Sequence, residues 1–202
     1  MRGLFVTFEG IDRSGKTTQA ERLRLALGDD AIAVREPGGT EAGERMRELL
    51  KDPNLQLGPG AETLLFAAAR AELVARVIRP ALAEGKVVIS DRFLDSSLAY
   101  QGAARGLGVE EVERINRFAT AGLVPDLTVL LELAPDAAAA RLGQLDRFED
   151  EGKTLQERVA RAYEELAAAE PQRWHRVDAD RPADRIHADV LAAVEAARRV
   201  PA

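Results

Sequence analysis

The chain contains no cysteine and only two histidines among its 202 residues. Disulfide bonds and thiolate metal sites are therefore excluded, and a histidine-based metal site is disfavoured. No stretch approaches the roughly eighteen consecutive apolar residues that predict a membrane-spanning helix. The N-terminus also lacks the long apolar run of a signal peptide. We therefore expect a soluble, cytoplasmic protein with no membrane partner.

Lysine is scarce as well. Of the 28 basic residues only Lys16, Lys51, Lys86 and Lys153 are lysines, which leaves 24 arginines. The net charge of −6 argues against a protein that binds nucleic acid through its overall charge, although a local basic pocket stays possible on an acidic chain. The length predicts one domain, residues 1–202.

The strongest motif is Gly-Ile-Asp-Arg-Ser-Gly-Lys-Thr at residues 10–17, which matches the phosphate-binding pattern G-x-x-x-x-G-K-[ST]. An apolar run precedes it and a helical pattern follows it, which is the context this loop needs. Such a loop aims backbone N–H groups at an oligophosphate, with the lysine on the β- and γ-phosphates and the hydroxyl on Mg²⁺. The predicted ATP-binding residues are Gly10, Ile11, Asp12, Arg13, Ser14, Gly15, Lys16, Thr17 and Thr18.

Apolar runs and helical patterns alternate along the rest of the chain. The predicted strands are Leu4–Phe8, Ala31–Val34, Val87–Ser90, Leu127–Leu133 and Trp174–Val177. Three of the runs are continuous rather than alternating, as in strands covered on both faces. The sequence therefore predicts an α/β fold of the three-layer P-loop type, a five-stranded parallel sheet with helices on both faces and a short lid. Ligands of such sheets bind at the carboxyl ends of the strands.

Charged residues stand at two of these strand ends. Asp91 follows the third run and is predicted to hold Mg²⁺ together with Thr17. Arg92 and Arg35 add two cations at the same edge of the sheet. One triphosphate does not need so many positive groups, whereas a second anionic substrate does. The alternatives are a surface ion pair for Asp91 and Arg92 and an ordinary solvated arginine at position 35.

Phe66 and Arg70 lie four residues apart on one helix face, surrounded by alanines. An aromatic ring beside a guanidinium suits a planar base with carbonyl acceptors, while a core phenylalanine with an exposed arginine is the plainer interpretation. Residues 95–101 form a polar stretch suited to a sugar or base edge. The charged segment 141–152 is predicted to be a lid over phosphates, or else a solvated connection.

Taken together and in this order, these motifs resemble the thymidylate kinase family of P-loop nucleoside monophosphate kinases. The resemblance covers nearly the whole chain. It is carried by the motifs at residues 8–19, 35–40, 65–70, 91–102, 125–128 and 146–149.

The resemblance implies transfer of a phosphoryl group from ATP to dTMP with Mg²⁺, in the synthesis of dTTP. It implies that Phe66 stacks on thymine, that Arg70 hydrogen-bonds the carbonyl edge of the base, and that Arg35 and Arg92 hold the dTMP phosphate. It also implies dTMP contacts for Asp12, Ser97, Tyr100 and Gln101, with Tyr100 under the deoxyribose.

Members of the family supply the transition-state cation either from the P-loop or from the lid. Arg13 stands in the loop here, and the stretch between Arg141 and Arg147 contains no cation, so the chain resembles the P-loop type. Arg141 and Arg147 are then expected on the ATP side. The implied catalytic residues are Asp12, Arg13, Lys16 and Asp91, and relatives form homodimers.

Three other functions stay open from sequence. A different acceptor, such as dUMP, a deoxynucleoside or another nucleoside monophosphate, would use the same motifs. A GTP-dependent switch protein would need an Asn-Lys-x-Asp motif, and the sequence contains none. A nucleotide-binding regulator without catalysis would not need Arg13 and the complete acceptor side.

Overall fold

The computed structural model describes residues 2–141 and 152–199. Its five strands form one parallel sheet in the order β2-β3-β1-β4-β5. The strands are β1 Phe5–Glu9, β2 Ala31–Arg35, β3 Val87–Asp91, β4 Leu127–Glu132 and β5 Trp174–Asp178. Each lies within one residue of its predicted run, so the predicted α/β sheet is confirmed.

The sheet is buried on both faces, and its central strands are mostly apolar. Every residue of β1 is buried. Phe5 belongs to one apolar cluster, with Leu73, Ile78 and other residues. Phe8 belongs to the other cluster. Successive side chains of a strand point to opposite faces, so a continuous apolar run supplies both cores at once.

Helices cover the two faces. They are α1 Lys16–Leu27, α2 Glu41–Lys51, α3 Pro59–Leu73, α4 Arg79–Ala83, α5 Leu94–Ser97, α6 Val109–Ala119, α7 Pro135–Ala140, α8 Lys153–Ala169 and α9 Ala183–Arg199. Threonine is a favoured residue at the start of a helix, and Thr40 caps α2: its hydroxyl accepts a hydrogen bond of 3.0 Å from the N–H of Gly43.

Two helical regions differ from the sequence prediction. The apolar spacing from about Gly60 to Glu84 is typical of a single helix, but α3 passes through a π-helical turn, Val74–Ile78, before α4. Pro80 lacks an N–H group and cannot continue the regular hydrogen-bond ladder, which accounts for the wider turn.

Residues 94–104 are helical, where the sequence suggested only a polar stretch. The short helix α5 continues directly into a π-helical segment, Leu98–Ala104. This segment carries Tyr100 and Gln101. Segments of this kind occur often at functional sites, because the extra residue in the turn changes the direction of its side chains.

The strand register brings the predicted site residues to one edge of the sheet. Asp91 is the register partner of Phe8 on one side and of Arg35 on the other. The phosphate-binding motif begins directly after β1. Across residues 2–141 and 152–199, no helix is both long and apolar enough to cross a membrane.

Candidate active site

The phosphate-binding loop links β1 to α1 and depends on two glycines. Gly10 has φ +139° and Gly15 has φ +97°, conformations that other residues rarely adopt. A Cβ atom at Gly10 would lie 2.5 Å from the backbone oxygen of Leu131. The loop therefore packs directly against the end of β4, at a distance that only glycine permits.

Lys16 is buried inside this loop. Its ammonium group donates hydrogen bonds to the backbone oxygens of Gly10 at 3.1 Å and Ile11 at 2.7 Å. Burial, together with the positive charge of Arg92, lowers the pKa of Lys16 from 10.5 to about 8. The lysine is thus held close to a second cation, in a place where an anion would relieve the repulsion.

Thr17 and Asp91 meet at the start of α1. The Thr17 hydroxyl donates a hydrogen bond of 2.5 Å to Oδ2 of Asp91. A hydroxyl and a carboxylate oxygen side by side suit Mg²⁺, which takes few protein ligands and completes its shell with water and phosphate oxygens. Within the described ranges no group of three or more acidic or histidine side chains forms a cage for a metal. The donor set fits a metal that arrives with a nucleotide.

A cavity opens beside the loop, and it gathers seven of the eight residues predicted to bind dTMP. Its lining includes Asp12, Phe66, Arg70, Arg92, Ser97, Tyr100 and Gln101. The eighth residue, Arg35, is not part of this lining. Its side chain is 58% exposed and forms an ion pair with Glu44 at 3.1 Å. Arg35 therefore lies at the rim of the site, where its predicted contact with phosphate stays a prediction.

Arg92 contacts several residues around the cavity. It forms a hydrogen-bonded ion pair with Asp12, and its guanidinium lies 5.1 Å from the centre of the Tyr100 ring. It also donates to Ser96 Oγ at 3.1 Å and to the Gly10 oxygen at 3.3 Å. Its backbone has φ +71°, which is strained for a residue with a side chain. A strained, fully engaged arginine at a strand end is typical of a functional position.

Arg70 is not the exposed arginine of the plainer interpretation, because only 1% of its side chain is exposed. Its guanidinium forms four hydrogen bonds and one further ion-pair contact with Glu36. The acceptors are Glu36 Oε2 (twice), Ser97 Oγ, Asn116 Oδ1 and the Phe93 oxygen. A hydrogen bond from Arg70 to a base would replace one of these contacts, and the Ser97 hydroxyl is the partner that also lines the cavity.

Several cavity residues were not identified from sequence. They are Glu36, Pro37, Arg47, Lys51 and Ser96. Arg47 and Lys51 lie four residues apart in α2, so two basic residues on one helix face were the sequence signal for this wall of the cavity. Arg47 donates a hydrogen bond of 2.8 Å to the backbone oxygen of Pro37, which holds it at the cavity wall.

Glu9, Tyr163 and Gln156 lie behind the cavity and contact residues that line it. Glu9 is fully buried and accepts hydrogen bonds from Ser96 Oγ at 2.6 Å and from the Tyr163 hydroxyl at 2.8 Å. The side-chain amide of Gln156 donates a hydrogen bond to Oδ2 of Asp12. Burial by itself would raise the pKa of Asp12, but the charges of Arg92 and Lys16 and the hydrogen bond from Gln156 bring it below its usual value.

The side chains of Arg13 and Arg141 each donate a hydrogen bond to the backbone oxygen of the other residue. Arg13 Nη1 donates to the Arg141 oxygen at 3.1 Å, and Arg141 Nη1 donates to the Arg13 oxygen at 3.0 Å. Arg141 also reaches the Ala179 oxygen at 2.6 Å, so it connects the loop to the end of β5. Arg147 and most of the predicted lid, 142–151, lie outside the described residues.

Lys16 and Arg92 thus both contact Gly10. Lys16 belongs to the loop that fits the phosphates of a nucleotide, and Arg92 lines the cavity with an aromatic wall. This arrangement defines the class of P-loop kinases that act on a second phosphorylated substrate. Within this class the chain belongs to the thymidylate kinase family, whose model matches residues 8–190.

Individual relatives agree with this family. The chain is 49% identical to a thymidylate kinase of Pelotomaculum thermopropionicum over 203 residues, which cover 96% of this chain and 94% of the relative. It is also 49% identical to a thymidylate kinase of Deinococcus radiodurans, with 96% and 97% covered. A thymidylate kinase of a Thermoanaerobacter species is 42% identical, with 96% and 98% covered.

Proposed function

We propose that the chain phosphorylates dTMP to dTDP with ATP and Mg²⁺, as its family membership implies, and that the loop and cavity described above are the two substrate sites. The observation that carries this assignment is the position of Arg92, which joins the cavity to the loop through Gly10 and Asp12. The acceptor phosphate would bind at Arg92, next to the phosphates held by Lys16.

The physical task of such an enzyme is to bring two anions together in line. Little covalent assistance is needed, so most of the catalysis is positioning and charge neutralisation. Lys16 and Arg13 would stabilise the transferred phosphoryl group, and Arg92 would orient the acceptor, with Arg35 added at the rim. When bound between Thr17 and Asp91, Mg²⁺ would neutralise phosphate charge.

The base would lie between Phe66 and the polar wall of the cavity. Phe66 supplies a ring for stacking, Ser97 and Gln101 supply hydroxyl and amide groups, and Tyr100 closes the side next to Arg92. The Gln101 amide donates to Glu62 Oε1 at 2.9 Å, which fixes its orientation. A fixed amide favours one hydrogen-bonding pattern of the base over another.

The test is an ADP-release assay with dTMP, dUMP, dCMP and dGMP as acceptors. We expect turnover with dTMP to exceed that with the others, and chelation of Mg²⁺ to abolish it until the metal is restored. A higher kcat/KM for another monophosphate would replace dTMP as the substrate. ATP binding without ADP release in the presence of every acceptor would instead favour a nucleotide-binding regulator without catalysis.

We also propose that the protein is a cytoplasmic homodimer and binds no nucleic acid. Large apolar side chains are exposed on three helices that pack side by side: Leu49 on α2, Leu64 on α3 and Phe118 on α6, the last at 90%. Burial of such a surface against a second copy would remove it from water. Sedimentation of the protein and of a Phe118→Glu variant tests this, and a monomeric unmodified protein would exclude the dimer.

A further inference from the structure

We propose that Gln156 is a positioning residue for the acceptor phosphate, which it orients through Asp12 and Arg92. This inference builds on the proposed function. Gln156 lies in the first turns of α8, and its side-chain amide forms two hydrogen bonds with one residue of the phosphate-binding loop. Its Oε1 accepts from the Asp12 N–H at 3.2 Å, and its Nε2 donates to Asp12 Oδ2 at 2.7 Å.

Asp12 also accepts a hydrogen bond from the Tyr100 side chain. Its second carboxylate oxygen, Oδ1, is the partner of Arg92. The amide of Gln156 therefore sets the plane of a carboxylate whose opposite edge holds the acceptor arginine. A hydrogen bond to a charged group, in a site with only 16% of the Asp12 side chain exposed, is stronger than one in water.

The same helix reaches Arg92 by a second route, which supports this assignment. Tyr163 lies seven residues after Gln156, two turns along the same face of α8. Its hydroxyl is 3.0 Å from Ser96 Oγ, and Ser96 accepts a hydrogen bond from Arg92. The helix α8 thus stabilises the position of Arg92 by two routes. One runs through Asp12, which Gln156 contacts near the beginning of the helix, and the other runs through Ser96, which Tyr163 contacts further along.

A glutamate at position 156 gives a test that a purely structural role would not satisfy. Gln156→Glu keeps the shape of the side chain. Its deprotonated carboxylate would face the Asp12 carboxylate at the place where an amide now donates. Its protonated form would donate an O–H to Asp12 and still accept from the Asp12 N–H. The charged groups near this position are Asp12, Arg92 and Lys16.

We expect Gln156→Ala to lower kcat/KM for dTMP by about 10-fold or more, with little change in the KM for ATP, because a lost hydrogen bond to a charged group has an effect of that order. The deficit of Gln156→Glu relative to the unmodified enzyme should shrink about 10-fold as the pH falls from 8 to 6, while that of Gln156→Ala stays constant. Gln172→Glu, the same change in an exposed turn, should leave activity and its pH profile unaltered.

A Gln156→Ala enzyme with unmodified kcat/KM, or equal pH profiles for the two glutamate variants, would overturn the inference. Melting temperatures supply a readout without substrate. The Asp12 carboxylate should raise the pKa of the new glutamate, so Gln156→Glu should lose more stability relative to Gln172→Glu at pH 8 than at pH 6. If the unmodified enzyme does not phosphorylate dTMP, the proposed function fails, and the melting comparison still decides whether Gln156 holds Asp12.

Discussion

Lys16 and Arg92 donate hydrogen bonds to the same backbone oxygen, that of Gly10, at 3.1 and 3.3 Å. The first residue belongs to the phosphate-binding loop and the second to the end of β3, so one carbonyl group joins the two proposed substrate sites. Burial lowers the pKa of Lys16, and the repulsion between its charge and that of Arg92 lowers it as well. Bound phosphates would remove this repulsion, which gives the site a preference for two anions together.

Arg92→Met should reduce kcat/KM for dTMP by about 10³-fold, because it removes the half-buried cation and leaves Asp12 without its ion-pair partner. The KM for ATP should change much less. Arg35→Met serves as the matched control, and we expect a loss below about 10-fold for this exposed arginine. Steady-state kinetics with each substrate varied separately measures both. An equal loss for the two variants would give Arg35 the same weight as Arg92.

Arg13→Ala should lower kcat by about 10³-fold, by analogy with other arginines that stabilise a transferred phosphoryl group. Arg13 has φ +62°, a strained conformation for a residue with a side chain. Arg13→Gly therefore removes the cation and also relieves the backbone. We expect it to lose the same activity while its melting temperature stays equal or rises. Near-normal kcat in both variants would remove Arg13 from the catalytic role.

Phe66→Ala should raise the KM for dTMP by roughly 5- to 150-fold, since stacking on a base contributes about 1–3 kcal/mol. The kcat should fall less, because the ring does not touch the transferred group. Phe66→Trp keeps an aromatic face and should retain most of the affinity, whereas Phe66→Leu keeps only the apolar volume. Isothermal titration with dTMP compares the three, and an unchanged affinity in Phe66→Ala would end the stacking assignment.

Much of the fold was predictable from sequence because its determinants are local. The continuous apolar runs predicted all five strands to within one residue, and Gly10 and Gly15 predicted the loop. The position of Asp91 at the carboxyl end of β3 was predictable for the same reason, since it directly follows a continuous apolar run. The helical pattern around Pro80 did not reveal the π-helical turn, because one wider turn hardly changes the apolar spacing.

The cavity was less predictable where contacts join distant parts of the chain. Gln156 lies 144 positions from Asp12, and nothing around it marks it as different from other polar residues of an exposed helix. Glu9 was hidden for another reason, since its three donors lie far along the chain: the N–H of Phe93 between β3 and α5, Ser96 in α5 and Tyr163 in α8. Arg35 is a different case: its place at a strand end was predicted from sequence, whereas its ion pair with Glu44 at the rim was not.

Glu9 gives a prediction about stability and pH. Burial, together with the negative charge of Asp95, raises the pKa of its carboxyl group from 4.5 to about 7. The folded protein therefore binds this proton more tightly than the unfolded chain does. Between pH 4.5 and pH 7 the free energy of unfolding should fall as the pH rises, by up to about 3 kcal/mol from this group alone.

Chemical denaturation of the unmodified protein and of Glu9→Gln at several pH values isolates this contribution. The glutamine variant has no proton to lose, so the stability difference between the two proteins should change by that amount between pH 4.5 and pH 8. Glu157→Gln, an exposed substitution on α8, is the matched control and should keep the slope of the unmodified protein. Parallel stability curves for the Glu9→Gln variant and the unmodified protein would show that Glu9 keeps an ordinary pKa in the folded state. Its hydrogen bonds from Ser96 and Tyr163 would then outweigh the cost of burying its charge.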